Sequence, residues 1–411
     1  MQTGLRKNPL NIIVIVAALG YFVDIYDLII FGIVKNPSLM DLGITDKGEL
    51  FNQGNYILRM QMFGMLLGGI VWGIMGDKKG RLSTLFATIL MYSIANIACG
   101  FVQNTEQYAW LRFVAGFGLS GELGIGITLV SEVLSKESRV KGAGIVSGIG
   151  IAGAALAFAV AEWFNWRSAY WFGGGLGLLL LILRVAVYES GMFQKTKQEN
   201  VQKGNFIRLF ASWKRTVKYI FIILVGIPTW YTVSVLVINS STFAEEALNI
   251  VGEVKGSTSV MLHYIGAALG SFVFGYLAGF LKSRRKTLYV AVGAMSLLTV
   301  LYFTMTGVPA WLFYTLIFIM GIPMGGLWAI FISVSSELFG TNIRATVTTT
   351  VSNFVRGAVV LITLLLDKTS PIIGLWTAGF AIGIFFLGLS LYSIFRTEET
   401  YGKDLDYNEE M

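Results

Sequence analysis

The chain has 411 residues, of which 55% are hydrophobic and 13% charged; an average soluble protein carries about 25% charged residues. With a mean hydropathy of +0.68, those values exclude a soluble globular protein and make lipid the solvent. One cysteine, Cys99, and one histidine, His263, exclude an intrachain disulfide framework and a Cys/His zinc site, so no metal or cofactor is expected.

Apolar runs of about 20 residues are long enough to cross a bilayer, and the chain reads as an all-α membrane protein with twelve of them. They are predicted at 12–34, 54–75, 83–103, 107–130, 141–161, 168–188, 217–239, 257–281, 287–306, 310–333, 346–366 and 371–395. The net charge of +7 is explained by where Lys and Arg lie. With both termini in the cytoplasm, the outer segments hold only Lys35, Lys47, Arg167, Lys255 and Lys368, while the inner segments hold most of the rest. The positive-inside rule therefore predicts that orientation, and nucleic-acid binding is not expected. Short loops and no targeting extension point to a bacterial inner membrane.

The basic segment 189–216 divides the chain into an N-terminal bundle, 1–188, and a C-terminal bundle, 217–395, followed by a tail, 396–411. Internal repetition supports the division. Glu132 to Arg139 follows the fourth span and Glu337 to Arg344 the tenth, each with Arg seven residues after Glu. Gly73 to Arg81 follows the second span and a degraded copy, Gly275 to Arg284, the eighth. Two pseudo-symmetric six-helix bundles of the same orientation are the expected architecture.

Gly73-Ile-Met-Gly-Asp-Lys-Lys-Gly-Arg81 resembles the G-x-x-x-D-x-x-G-R loop motif of the major facilitator superfamily. Arg112 to Glu122, Ser336 to Arg344, and Tyr26-Asp27 are similar to segments of its sugar porters, metabolite:proton symporters and organic cation/anion transporters. The sequence departs from the pattern after the sixth span, where Tyr188-Glu-Ser replaces Pro-Glu-Ser-Pro, and at Gly279, where the second loop motif lacks its aspartate. The fifth span lacks the proline of drug antiporters.

A charge in mid-bilayer costs at least about 2.5–3.5 kcal/mol on insertion scales, so charged residues there face a partner or an aqueous cavity. Asp27 in the first span and Arg112 in the fourth both fall in the outer half, as a candidate pair. The resemblance links matching positions to proton coupling; a static salt bridge is the plainer alternative. Asp24 shares a helical face with Asp27, and Arg59, early in the second span, is placed to neutralise either acid. Glu122 lies deeper, in a glycine run, as a proton-passing group or a structural partner. His263 has the one side chain that titrates near neutrality unperturbed, and packs as a hydrogen-bonded residue otherwise.

Arg356, near the middle of the eleventh span with Asn353 one turn before it, is the leading substrate-site candidate. A guanidinium presents a planar fork to a carboxylate and keeps its charge at any working pH. Trp230 and Tyr231 follow Pro228, which loosens the seventh helix, and can wall a substrate chamber. Asp77, Arg81, Glu132, Arg139, Glu337 and Arg344 sit at the cytoplasmic ends as a conformational latch.

These features predict a transporter that moves a small organic anion, a carboxylate, with protons by alternating access, working as a monomer in the bilayer. A proton-coupled sugar or polyol symporter, with Asn353 and Asn239 binding hydroxyls, is one alternative; a non-transporting membrane sensor is another. The sequence contains no Walker A motif and no paired nucleophile and base, so neither ATP-driven transport nor an enzyme is expected.

Overall fold

The computed structural model describes residues 12–79, 81–122, 136–189, 206–340 and 343–403. The described residues fold into twelve principal helices. In order they are α1 Ile12–Asp41, α2 Lys47–Lys79, α3 Arg81–Cys99, α4 Thr105–Leu119, α5 Lys136–Trp163, α6 Trp166–Glu189, α7 Trp213–Tyr231, α8 Gly256–Leu281, α9 Arg284–Thr304, α10 Ala310–Glu337, α11 Arg344–Ile373 and α12 Leu375–Arg396. Among the described residues the only β pairing is an isolated bridge between Val251 and Pro309. Helices satisfy their own backbone groups, which lipid cannot do, and eight of these are apolar and long enough to cross a bilayer by themselves. The chain is a multi-pass membrane protein.

Each of the twelve expected spans corresponds to one helix; α1 runs seven residues past its expected end and α2 starts seven before its own, and the fourth, seventh and eleventh differ for local reasons. The fourth span was expected to continue to 130, but α4 ends at Leu119 and turns at Ser120–Gly121, and residues 123–135 lie outside the described ones. In the seventh, Pro228 removes a backbone donor, and α7 passes into a π-helical stretch, Thr232–Val237. The eleventh helix runs on to Ile373, past Pro371, and the break comes at Gly374, whose φ of 82° favours glycine.

Packing follows the internal repeat. In the first half α1 packs on α5, α2 on α4 and α3 on α6; in the second, α7 on α11, α8 on α10 and α9 on α12. The two halves meet along α2–α11 and α5–α8, seams that the same pseudo-twofold exchanges. We call the end at which α1 starts the inner end. Close approach depends on glycine: a Cβ on Gly270 of α8 would stand 1.8 Å from the Ile322 carbonyl, and one on Gly325 of α10 2.0 Å from that of Ala267. Both helices carry the small-xxx-small spacing (Gly266, Gly270; Gly321, Gly325) that lets membrane helices touch backbone to backbone. Along α2–α11, Thr350 lies opposite Gly73, Asn353 opposite Gly69, Gly357 opposite Leu66 and Asp367 opposite Arg59.

Candidate functional site

Helix α11 carries Arg356 into the middle of the molecule, where it is 3% exposed. Its guanidinium carbon lies 5.3 Å from the Trp328 ring centre and 5.9 Å from that of Trp230. An aromatic face attracts a cation by about 2 kcal/mol or more once both are desolvated, so the two indoles hold the fork in place. Nη1 donates to Asn353 Oδ1 at 3.3 Å, while Nε has no partner. Among the described residues no carboxylate forms an ion pair with it. Tyr21 and Asp24 of α1 and Tyr264 of α8 act on its charge from a greater distance. Asn353 donates through Nδ2 to the Ser120 carbonyl of the first half at 2.9 Å and to Thr349 O at 2.9 Å. Of the residues expected at the substrate site, Arg356, Asn353 and Trp230 therefore come together.

Two others do not join them. Tyr231, one residue beyond Trp230 and so about 100° further around α7, donates to the Gly379 carbonyl of α12 at 2.8 Å. It packs the second bundle instead of walling the chamber. Arg59 pairs with Asp367 of α11, not with the acids of α1. It lies on the face of α2 that meets α11, and Asn55, one turn earlier, donates to the same carboxylate at 2.7 Å. Asn239 donates to Asn55 at 3.2 Å, and the buried ammonium of Lys35 donates to Asn239 Oδ1 at 2.6 Å and Ile238 O at 3.2 Å. This chain of bonds crosses between the halves at the outer end. It also satisfies the carbonyl where α7 breaks.

The acids and arginines of the first half form a second cluster. Arg112 donates to Asn96 Oδ1 at 2.7 Å and to the main-chain carbonyl of Asp27 at 2.9 Å, with Tyr170 beneath it. Arg112 thus hydrogen-bonds the Asp27 main chain and, with Asn96, acts on its carboxylate electrostatically. That carboxylate lies against Gly173 of α6, and neither of its oxygens completes a hydrogen bond of ordinary geometry. Glu122, just past the α4 turn, forms a buried ion pair with Arg184 of α6. The pair presses against Gly20 of α1, where a Cβ would stand 2.0 Å from Arg184 Nη2. Asp24, one turn after Gly20, interacts electrostatically with Glu122, Arg356, Arg184 and Asp27. His263 lies apart, in the α8–α10 interface, with Nδ1 3.2 Å from the Ile317 carbonyl.

At the inner end, Glu337 accepts from Arg284 Nη2 at 2.9 Å and from Thr400 Oγ1 at 2.6 Å, so among the described residues its partners belong to its own half. Glu132, and the side chains of Asp77, Arg81, Arg139 and Arg344, lie outside the described residues. Sequence reasoning missed Trp328, Tyr21, Tyr264 and the partner roles of Arg184, Asp367 and Lys35. Only Trp328 had a local signal, the Pro323…Gly325-Gly326 run inside α10 just before it.

The sequence profile of the Major Facilitator Superfamily matches residues 17–363. A protein named "Probable 4-methylmuconolactone transporter", from Cupriavidus pinatubonensis, is 27% identical over 340 residues, which are 80% of this chain and 76% of that one. The niacin transporter NiaP of Acinetobacter baylyi is 30% identical over 181 residues, 43% of this chain and 40% of its own length. The sialic acid transporter NanX of Escherichia coli is 28% identical over 269 residues, 64% and 63%. In the last two the matched region spans less than two thirds of the relative. The chain is a membrane transporter and not an enzyme, and it belongs to the Major Facilitator Superfamily.

Proposed function

We propose that this chain carries a small organic anion, a carboxylate, together with protons across a bacterial inner membrane by alternating access. Residues 1–188 and 217–395 move as two halves about the linker 189–216, both termini lie in the cytoplasm, and a monomer suffices. The observation that carries the reading is Arg356: a buried cation between two indoles, with a free Nε and, among the described residues, no carboxylate paired to it. An isolated charge in this position is costly. A substrate carboxylate supplies the missing counter-charge, and the indoles offer a flat apolar wall to its body. The relatives' names point the same way, since 4-methylmuconolactone, niacin and sialic acid each carry a carboxyl group. Coupling to protons is supported by Asp24 and Asp27, buried acids one turn apart on α1. Asp77, Arg81, Glu132, Arg139, Glu337 and Arg344 act as the inner latch that forms and releases as the halves rock.

The test is thermal stabilisation of the purified protein by nicotinate, benzoate, glucose and choline at pH 5.5 and pH 7.5. The carboxylates are expected to raise the melting temperature, more so at the lower pH, and Arg356→Gln is expected to abolish the effect. Stabilisation by glucose or choline that survives Arg356→Gln overturns the anion assignment.

A further inference from the structure

The side of α6 that meets α1 and α3 is built from glycine. A Cβ on Gly173 would stand 2.7 Å from Asp27 Oδ1, and one on Gly177 would stand 2.1 Å from Ser93 Oγ and 2.9 Å from the Tyr92 ring. Arg184, seven residues further along the same face, holds Glu122. Polar groups of α1, α3 and α4 thus lie one after another against α6 over eleven residues, about 16 Å of helix rise.

Most of these groups lack a protein partner for at least one buried atom: both carboxylate oxygens of Asp27, Ser93 Oγ, Tyr92 OH, Asp24 Oδ1, Glu122 Oε2 and Arg184 Nη1. Native proteins rarely leave so many buried polar atoms orphaned in one place, and where they do, water or a transferable proton is the usual partner. The Tyr92 hydroxyl sits at the centre of the series, within electrostatic reach of Glu122, Asp24, Asp27 and Arg184 at once.

We propose that this column is a hydrated proton path inside the first half, in which Ser93 and Tyr92 relay protons between Asp27 and the Asp24–Glu122–Arg184 cluster nearer the inner end. The inference rests on the proton-coupled reading and gives it a route. Each hydroxyl accepts a proton on its oxygen as it releases its own to the next acceptor, so nothing is consumed. The charged and titratable groups facing the path are Tyr21, Asp24, Tyr26 and Asp27 from α1, Tyr92 and Cys99 from α3, Arg112 from α4 and Glu122 just past it, Tyr170 and Arg184 from α6, and Arg356 from α11. The three arginines keep their charge throughout, so the acids alone store the travelling proton.

The test needs no substrate. Infrared difference spectra of the full-length protein between pH 8 and pH 5 report a buried carboxylic acid band, identified by its loss in Asp27→Asn. Transfer to heavy water then times the arrival of a deuteron at that acid. Tyr92→Phe combined with Ser93→Ala is expected to slow the arrival about 10-fold or more at an unchanged melting temperature, and either hydroxyl restored alone is expected to recover part of the rate. An unchanged rate in the double variant overturns the path while leaving proton coupling intact. If the wild type shows no Asp27-dependent band, the proton-coupled reading fails, and the path with it.

Discussion

Arg59 of α2 and Asp367 of α11 form an ion pair that joins the two halves at their outer end, and Asn55 donates to the other oxygen of the same carboxylate. Both side chains are about 15% exposed, so water competes weakly. Asp367→Asn removes charge-assisted bonds worth about 1.5–3 kcal/mol, which shifts the balance toward an open outer seam by about 10- to 100-fold. Ile238, packed on Gly32 at that seam, supplies the reporter as Ile238→Cys in a Cys99→Ala background. A membrane-impermeant maleimide is expected to label it correspondingly faster when Asp367 is replaced; equal rates would mean the pair does not hold the seam.

Trp328 and Tyr231 make opposite predictions although both are large aromatics near the chamber. Replacing Trp328 by Phe weakens the cation–π contact with Arg356, and carboxylate affinity is expected to fall about 5-fold, or about 1 kcal/mol. Tyr231→Phe removes one buried hydrogen bond to Gly379, with an expected loss of about 1 kcal/mol of stability and no change in affinity. Calorimetric titration and thermal melts on the same samples separate the two. A Tyr231→Phe protein that binds carboxylate more weakly would return that residue to the chamber.

Glycine substitutions in the second half grade by what a methyl group meets. Gly270→Ala forces a Cβ onto the Ile322 carbonyl, and a loss of about 1–3 kcal/mol is expected from overpacking. Gly275→Ala, on the same helix, meets nothing within 4 Å and is expected to leave the melting temperature unchanged or slightly raised. A similar change at both positions would show that the backbone contact at Gly270 does not set the response.

The segment after α12 is fastened by Glu399. Partial burial raises its carboxyl's proton affinity, but hydrogen bonds from Ser283 and from the main-chain N–H groups of Tyr401, Arg284 and Arg285 outweigh that and hold its pKa below the ordinary value. A carboxylate with a lowered folded-state pKa contributes stability above its unfolded pKa, about 4.3, and loses it as pH falls through the folded value. Wild type and Glu399→Gln are therefore expected to differ in melting temperature at pH 7, and the difference is expected to shrink progressively as pH falls below about 4. A difference that stays constant through that fall would assign the effect to shape instead of charge.

The twelve helices were legible because hydropathy needs only local sequence, and the two halves because the Glu132–Arg139 and Glu337–Arg344 segments repeat. Arg356 stood out because a charge in an apolar run has no local explanation. Its indole frame was half legible: Trp230 follows a proline, but Trp328 comes from a different helix. The partner of Arg59 lies 308 residues away, and no periodicity marks a contact between bundles. Asp27 was assigned to Arg112 by depth alone, which fixes height in the membrane but not rotation about the helix axis. Rotation lays its carboxylate against Gly173, so Arg112 hydrogen-bonds the Asp27 carbonyl and reaches the carboxylate only through its charge.

The α2–α11 seam runs from Thr350 to Asp367, about 26 Å at 1.5 Å per residue, with contacts at both ends and between. Two rods touching over such a length behave as a lever when one end is released and the other stays clasped. A tilt of about 20°, within the range of domain rotations, separates the free ends by about 9 Å, wide enough to admit a single flat ring. On the proposed rocking of the halves, whichever clasp remains fastened serves as the pivot, so the same contacts that shut one mouth of the chamber set the aperture of the other.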